Sequence, residues 1–130
     1  MEVVAGRDAA ATERILRSLP TWSGVEDALR ASVLRTAIAE ASFVARVDGE
    51  VVGVVLVDRG TPATAELALL AVPADHRGCG IGRALVDAAA TWAGFAGASQ
   101  LEVRGRSDAR PRAPTRGVHR VTEVLGRPRP

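Results

Sequence analysis

Between residues 72 and 83 the chain places arginines and glycines where an anion could be held. An apolar run ends at Val72, Pro73 follows, and Arg77-Gly78-Cys79-Gly80-Ile81-Gly82 leads into an amphipathic helix pattern that includes Arg83. The first N–H groups of a helix lack an intrahelical acceptor and sit at the positive end of its dipole. Strand, glycine turn and helix N-terminus together therefore make an anion site, with glycines letting the ligand reach the backbone. The order Arg-x-x-Gly-x-Gly sets a cation beside those groups, which suits a pyrophosphate. Cys79 is the single cysteine, so no internal disulfide is expected. A thiol at a helix N-terminus can be reactive, but Cys79 reads best as a bystander, and His76 as a surface residue.

The elements that must hold this loop follow from pattern and punctuation. Glu2 to Ala5 is a short strand. Asp8 is a fitting cap for a helix over Ala9 to Ser18, which Pro20 stops. Ser23 is expected to cap a second helix over residues 24–41, with Val25, Ala28, Leu29, Val33 and Ala37 on its inner side. Asp48-Gly49 between two β-branched runs predicts a tight hairpin of residues 42–47 and 50–58. Val51 to Val57 is almost continuously apolar, as in a central strand buried on both faces. Residues 59–62 read as a turn into a strand over 64–72, antiparallel to its predecessor. The helix after the loop spans about Ile81 to Phe95, with Ile81, Leu85, Ala88, Ala89 and Trp92 inward and Gly94 and Gly97 at its end. Gln100 to Arg104 is a further strand; reached through a helical crossover, it should run parallel to residues 64–72.

With 130 residues, 47% hydrophobic and 25% charged, the chain has the size and composition of one globular domain. No apolar run reaches membrane-spanning length and no signal peptide is recognisable at Met1, so a cytoplasmic location without membrane contact is the expectation. All 17 basic residues are arginine, alanine is abundant and tyrosine is absent, a bias that GC-rich coding DNA produces. The net charge of +2 is unevenly spread: residues 1–103 carry nine arginines against thirteen acids, −4, and residues 104–130 eight against two, +6. That Arg/Pro-rich segment, taken as a second region over 105–130, has no aromatic interleaving, so no nucleic-acid partner is inferred and a solvated tail is expected.

Residues 1–104 resemble a GCN5-related N-acetyltransferase (GNAT) domain. Val72-Pro73-Ala74-Asp75-His76-Arg77-Gly78-Cys79-Gly80-Ile81-Gly82-Arg83-Ala84-Leu85 is similar to that family's acetyl-CoA signature. The order strand, two helices, hairpin, strand, glycine loop, helix, strand is also similar. A Rossmann domain would carry its glycine loop after the first strand, with an acid about twenty residues on, and a P-loop would need Gly-Lys-Ser/Thr. The resemblance implies an α/β (α+β) fold, the acyl-CoA N-acyltransferase fold, with a mixed, mostly antiparallel sheet flanked by helices and an atypical or truncated C-terminal part. It implies acetyl-CoA as co-substrate and a small-molecule or peptide amine as acceptor. The backbone of Leu70, Ala71 and Val72 would pair with the pantetheine arm. N–H groups from Arg77, Gly78, Cys79, Gly80, Ile81 and Gly82 would hold the pyrophosphate, with charge from Arg77 or Arg83.

Acetyl transfer to an amine needs a proton acceptor, a donor for the developing oxyanion and help for the leaving thiolate. Glu66 precedes the loop on the same strand, and alternation would put it on one face with Ala68, Leu70 and Val72. It is the candidate base, and it also fits a solvent-facing strand end. The family's usual acid is a tyrosine. In this chain the resemblance would put His119, within Ala113-Pro114-Thr115-Arg116-Gly117-Val118-His119, in the position of that tyrosine, although Pro114 and Gly117 disfavour a helix there. Trp22 reads as a core or interface residue close to where the family's acceptor cleft lies. The missing tyrosine leaves two readings open, a working N-acetyltransferase and a CoA-binding module without turnover. A second copy could complete the sheet that the tail leaves short.

Overall fold

The computed structural model describes residues 1–103 and 123–124. One sheet runs β1 (Glu2–Ala5), β2 (Ala41–Val47), β3 (Glu50–Thr61), β4 (Thr64–Ala71), β5 (Gln100–Val103) and β6 (Glu123–Val124), in that order across it. Every neighbouring pair is antiparallel except β4 and β5, which are parallel. The crossover between those two is α3 (Ile81–Phe95); α1 (Ala9–Arg17) and α2 (Glu26–Ile38) lie between β1 and β2. The acyl-CoA N-acyltransferase fold expected from the sequence is therefore present.

Local chemistry explains most boundaries. Asp8 caps α1, its Oδ1 accepting from the Ala11 N–H at 2.9 Å, as expected. Asp48 and Gly49 adopt φ of 53° and 81°, the paired positive values of a type I′ turn whose twist matches the strands it joins. Gly97, at φ 96°, follows the end of α3.

The sheet separates two apolar cores. On one face α3 presents a single stripe, Ile81, Leu85, Ala89 and Ala93, against Val52, Val55, Val57, Ala65 and Leu67. On the other, Ile15, Leu16, Leu19, Trp22 and Leu29 pack against Val44, Val54, Leu56 and Leu69. Residues Val51 to Val57 are all buried because β3 faces both cores.

Several sequence expectations are corrected. Ser23 does not cap α2: it closes a short 3₁₀ turn over Pro20–Trp22, Gly24 then takes φ 81°, and α2 starts at Glu26 without a side-chain cap. Only Leu29 and Thr36 of α2 are buried, and Ala28 and Ala37 are exposed. Residues 59–61 are strand, not turn, because a register irregularity between Arg59 and Thr61 absorbs Gly60 and leaves Pro62-Ala63 as the connection. On α3 the inner stripe uses Ala93, while Ala88 and Trp92 are half-buried and Gly94 stays helical. The Arg/Pro-rich segment, expected to add no strand, contributes β6, which pairs Val124 with Gln100 and Glu123 with Leu101.

Candidate active site

The loop between β4 and α3 is built from glycines that must be glycine. Gly78 and Gly80 take φ of 79° and 82°, values that cost an L side chain about 1 kcal/mol or more. Gly80 stands at the N-cap of α3 and offers no side chain to its first turn. The first helical bond is Ala84 N–H to the Gly80 carbonyl, 3.0 Å. The N–H groups of Ile81, Gly82 and Arg83 therefore have no helical acceptor. Those of Gly78, Cys79 and Gly80 find none among the described residues either. The Arg77 N–H differs: it bonds the Ala74 carbonyl at 3.2 Å in a short 3₁₀ turn, so the run of available donors begins at Gly78. A side chain at Gly82 would meet nothing within 4 Å; the fold does not require glycine there, and its absent side chain keeps the space in front of the helix open.

That space is a groove of about 300 Å³ lined by Leu70, Val72, His76, Arg77, Gly78, Gly82 and Arg83. The Arg77 guanidinium donates to the Val72 carbonyl at 3.3 Å, which draws it back over the end of β4. Arg83 is exposed one turn into α3. Two cations and the helix dipole thus converge on a domain whose residues 1–103 are net −4, a local inversion that favours an anion at this end.

The strand leading to the loop carries the second half of the site. β5 pairs with β4 only from Thr64 to Leu67. From Ala68 to Ala71 that edge has no strand beside it among the described residues, while the other edge stays on β3. The register shifts where Leu56 faces Leu69 and Val57 faces Leu67, leaving Ala68 as an extra residue. Such a bulge resets the phase of the strand. Ala65 and Leu67 join the α3 core, Ala68, Leu69 and Ala71 join the α1/α2 core, and Leu70 and Val72 return to the α3 side. Glu66 consequently does not share a face with Leu70 and Val72, as strict alternation had implied. It points to the α1/α2 side and Leu70 and Val72 to the groove.

Glu66 is half-buried, opposite Asp58 on β3 and Glu102 on β5. Asp58 is held by an ion pair with Arg35 of α2 and accepts the Glu40 N–H at 3.4 Å. His76 Nδ1 lies 3.3 Å from Asp75 Oδ1, within ion-pair distance when protonated but not aligned as a hydrogen bond. Cys79 is exposed, its Sγ 3.8 Å from the Arg77 carbonyl oxygen. His119 lies outside the described residues. Two glycines not singled out in the sequence also belong to the site: Gly53 beneath the start of α3 and Gly60 beneath Glu66. An isolated glycine inside a strand pattern is the signal for such close approaches.

The profile of the Acetyltransferase (GNAT) family matches residues 11–114. The chain belongs to the GNAT acetyltransferase family. The match takes in β4, the glycine loop and α3 of this GNAT domain. Among solved structures it is similar to an aminoglycoside 6'-N-acetyltransferase complexed with coenzyme A, TM-score 0.69, 18% identity, over 81% of this chain and 62% of that one. It also resembles a Brucella melitensis GNAT acetyltransferase in complex with acetyl-CoA, TM-score 0.66, 23% identity, 82% and 76% covered. A third, the Escherichia coli ribosomal-protein-S18-alanine N-acetyltransferase, gives TM-score 0.67, 18% identity, 83% and 68% covered. The GNAT domain thus spans somewhat under two thirds of the first of these. No curated protein sequence matches it. Among the described residues no helix is long and apolar enough to cross a membrane, and no group of side chains is arranged to hold a metal.

Proposed function

We propose that this GNAT domain is an acetyl-CoA-dependent N-acetyltransferase that moves an acetyl group to an amine of a small molecule or peptide by direct attack. The observation that carries the reading is the run of N–H groups from Gly78 to Arg83 that have no acceptor among the described residues. It opens into a groove flanked by Arg77 and Arg83 and adjoins the edge of β4 that has no strand beside it among the described residues. These features fit a CoA ester. The N–H groups would take the pyrophosphate, and the edge at Leu70 to Val72 would take the pantetheine arm as an added strand. Acetyl-CoA, when bound, would supply an activated thioester as the acyl donor.

The chain's own residues supply positioning and proton handling. The bulge at Ala68 lets one strand address both sides: Leu70 and Val72 face the groove, and Glu66 faces the α1/α2 side, from which an amine would approach. Glu66 accepts the proton the amine must lose, directly or through one water. The outward N–H groups of β4 beyond Leu67, which no described strand pairs, are the donors that would meet a developing negative charge. Proximity contributes most of the remaining acceleration.

The absence of any tyrosine favours a second reading, a CoA-binding module without turnover, since the family's usual acid has no counterpart unless His119 provides one. Calorimetry with acetyl-CoA followed by CoA-thiol release over polyamines, amino acids, aminoglycosides and peptide N-termini separates the two. Binding with release supports the enzyme; binding without release across the panel supports the module; no binding sinks both.

A further inference from the structure

We infer that Gly60 is a positioning residue for the Glu66 carboxylate, a role that rests on Glu66 as the proton acceptor proposed above. A Cβ placed on Gly60 would stand 2.8 Å from Glu66 Oε2 and 3.2 Å from both Cδ and Cγ. The Glu66 side chain therefore lies across the bare backbone of Gly60, in the space any other residue would occupy.

Among the described residues nothing else asks for glycine at this position. Gly60 has no left-handed φ, so its backbone suits an L residue. It is exposed, so it is not squeezed by a core. It falls at the register irregularity between Arg59 and Thr61, which brings it diagonally beneath Glu66 rather than directly opposite. The direct opposite is Asp58, already committed to Arg35 and to the Glu40 N–H. A carboxylate pushed off Gly60 must move toward that like charge or out into solvent. Ordinary contact begins at 3.4 Å, so alanine at 60 displaces the carboxylate by about 0.6 Å, the difference from the 2.8 Å approach. The end of a glutamate side chain yields cheaply, so the perturbation falls on position rather than on stability.

The test compares the full-length wild type, Gly60→Ala, Glu66→Gln and the double variant. Crystal structures of the first two should show the Glu66 carboxylate displaced by about 0.6 Å. The thermal midpoint should stay within about 3 °C, and acetyl-CoA affinity within about twofold, because the loop lies ~13 Å or more further along the strand. CoA-thiol release is measured with spermidine, kanamycin and an alanine-terminated peptide. In the parent, Gly60→Ala should lower kcat/KM about tenfold to hundredfold, the cost of roughly ångström misplacement. On the Glu66→Gln background it should change kcat/KM by less than about twofold, since the group it positions is gone. An unmoved carboxylate, an unchanged kcat/KM, or an equal loss on both backgrounds overturns the role. Full activity in Glu66→Gln, or no turnover of any of the three amines by the parent, removes the base assignment and this inference together. A large Glu66→Gln loss with a silent Gly60→Ala removes the inference alone.

Discussion

Gly53→Ala should both destabilise the domain and loosen its glycine loop. Gly53 lies in the buried middle of β3, and a Cβ there would stand 2.9 Å from Ile81 Cγ2, 2.9 Å from Leu85 Cδ1 and 3.5 Å from Val72 Cγ2. These side chains are 3%, 0% and 7% exposed, so none can retreat into solvent. Bringing the two short contacts to the 3.4 Å of ordinary packing needs a retreat of about 0.5 Å by the first turn of α3. Overpacking of this kind costs roughly 1–3 kcal/mol. Alanine regains about 0.5–1 kcal/mol over glycine in a strand. At the middle of these ranges the strain wins, with a net loss of about 1 kcal/mol, or roughly 3–6 °C in midpoint for a domain of this size. Ile81 also begins the helix whose N–H groups form the anion cradle, so acetyl-CoA affinity should fall about tenfold, the equivalent of one charge-assisted hydrogen bond of roughly 1.5 kcal/mol. Urea unfolding reads the first effect as a lower midpoint at constant slope, and calorimetry reads the second. Equal or higher stability would refute the packing argument. A destabilised variant with wild-type affinity would refute the link between β3 and the cradle.

Gly80→Glu should abolish acetyl-CoA binding, at least about a hundredfold, because its carboxylate would occupy the anion position and its backbone must hold φ 82°; titration calorimetry checks this. Asp8→Ala should cost about 1 kcal/mol of stability through the lost cap on α1, read as a shift in the denaturation midpoint. Glu26, clamped between Arg17 and Arg30, is lowered to about 2 chiefly by its hydrogen bond from Arg17. A depressed carboxylate stabilises above its unfolded pKa of about 4.5 and loses that contribution as pH falls toward about 2. The midpoint gap between wild type and Glu26→Gln should therefore be small at this exposed site, largest above pH 5 and close to zero at pH 2; a gap that widens in acid would contradict the sign.

Features that depend on a few adjacent residues were legible in the sequence. Asp48-Gly49 specifies its turn through backbone preference alone, and the glycine loop announces itself by glycines at fixed offsets before an amphipathic helix. The double burial of Val51 to Val57 was readable because a strand with one wet face alternates apolar and polar residues, and this run does not. Features that depend on a neighbouring strand were not. The Leu69-Leu70 doublet breaks the alternation of β4, yet only pairing with β3 shows that Ala68 is the inserted residue and that Glu66 looks away from the groove. Gly53 and Gly60 are ordinary strand glycines until α3 and Glu66 are seen lying on them. Ser23 is a good cap by type, but Pro20 had already started a 3₁₀ turn that uses it. On α2, Ala28 and Ala37 fall at helical spacing with Leu29 yet are exposed, because small side chains fit either face and only packing decides between them.

The order of strands across the sheet is also their order along the chain, and this bears on how the protein is made. A nascent chain adds each strand to an edge that already exists. The β2–β3 and β3–β4 connections are two residues long, so residues 41–71 form by local closure, whereas the β1–β2 pairing closes across both α1 and α2. β5 is different: its parallel partner is reached only after the whole of α3 has been synthesised. Until then β4 presents its entire outer edge, from Thr64 to Ala71, to the ribosome exit and to other chains. An unprotected edge of that length invites pairing with the wrong partner. The interval between the emergence of β4 and that of β5 from the ribosome is therefore when this domain is most exposed to misassembly, and prolonging it should raise the aggregated fraction.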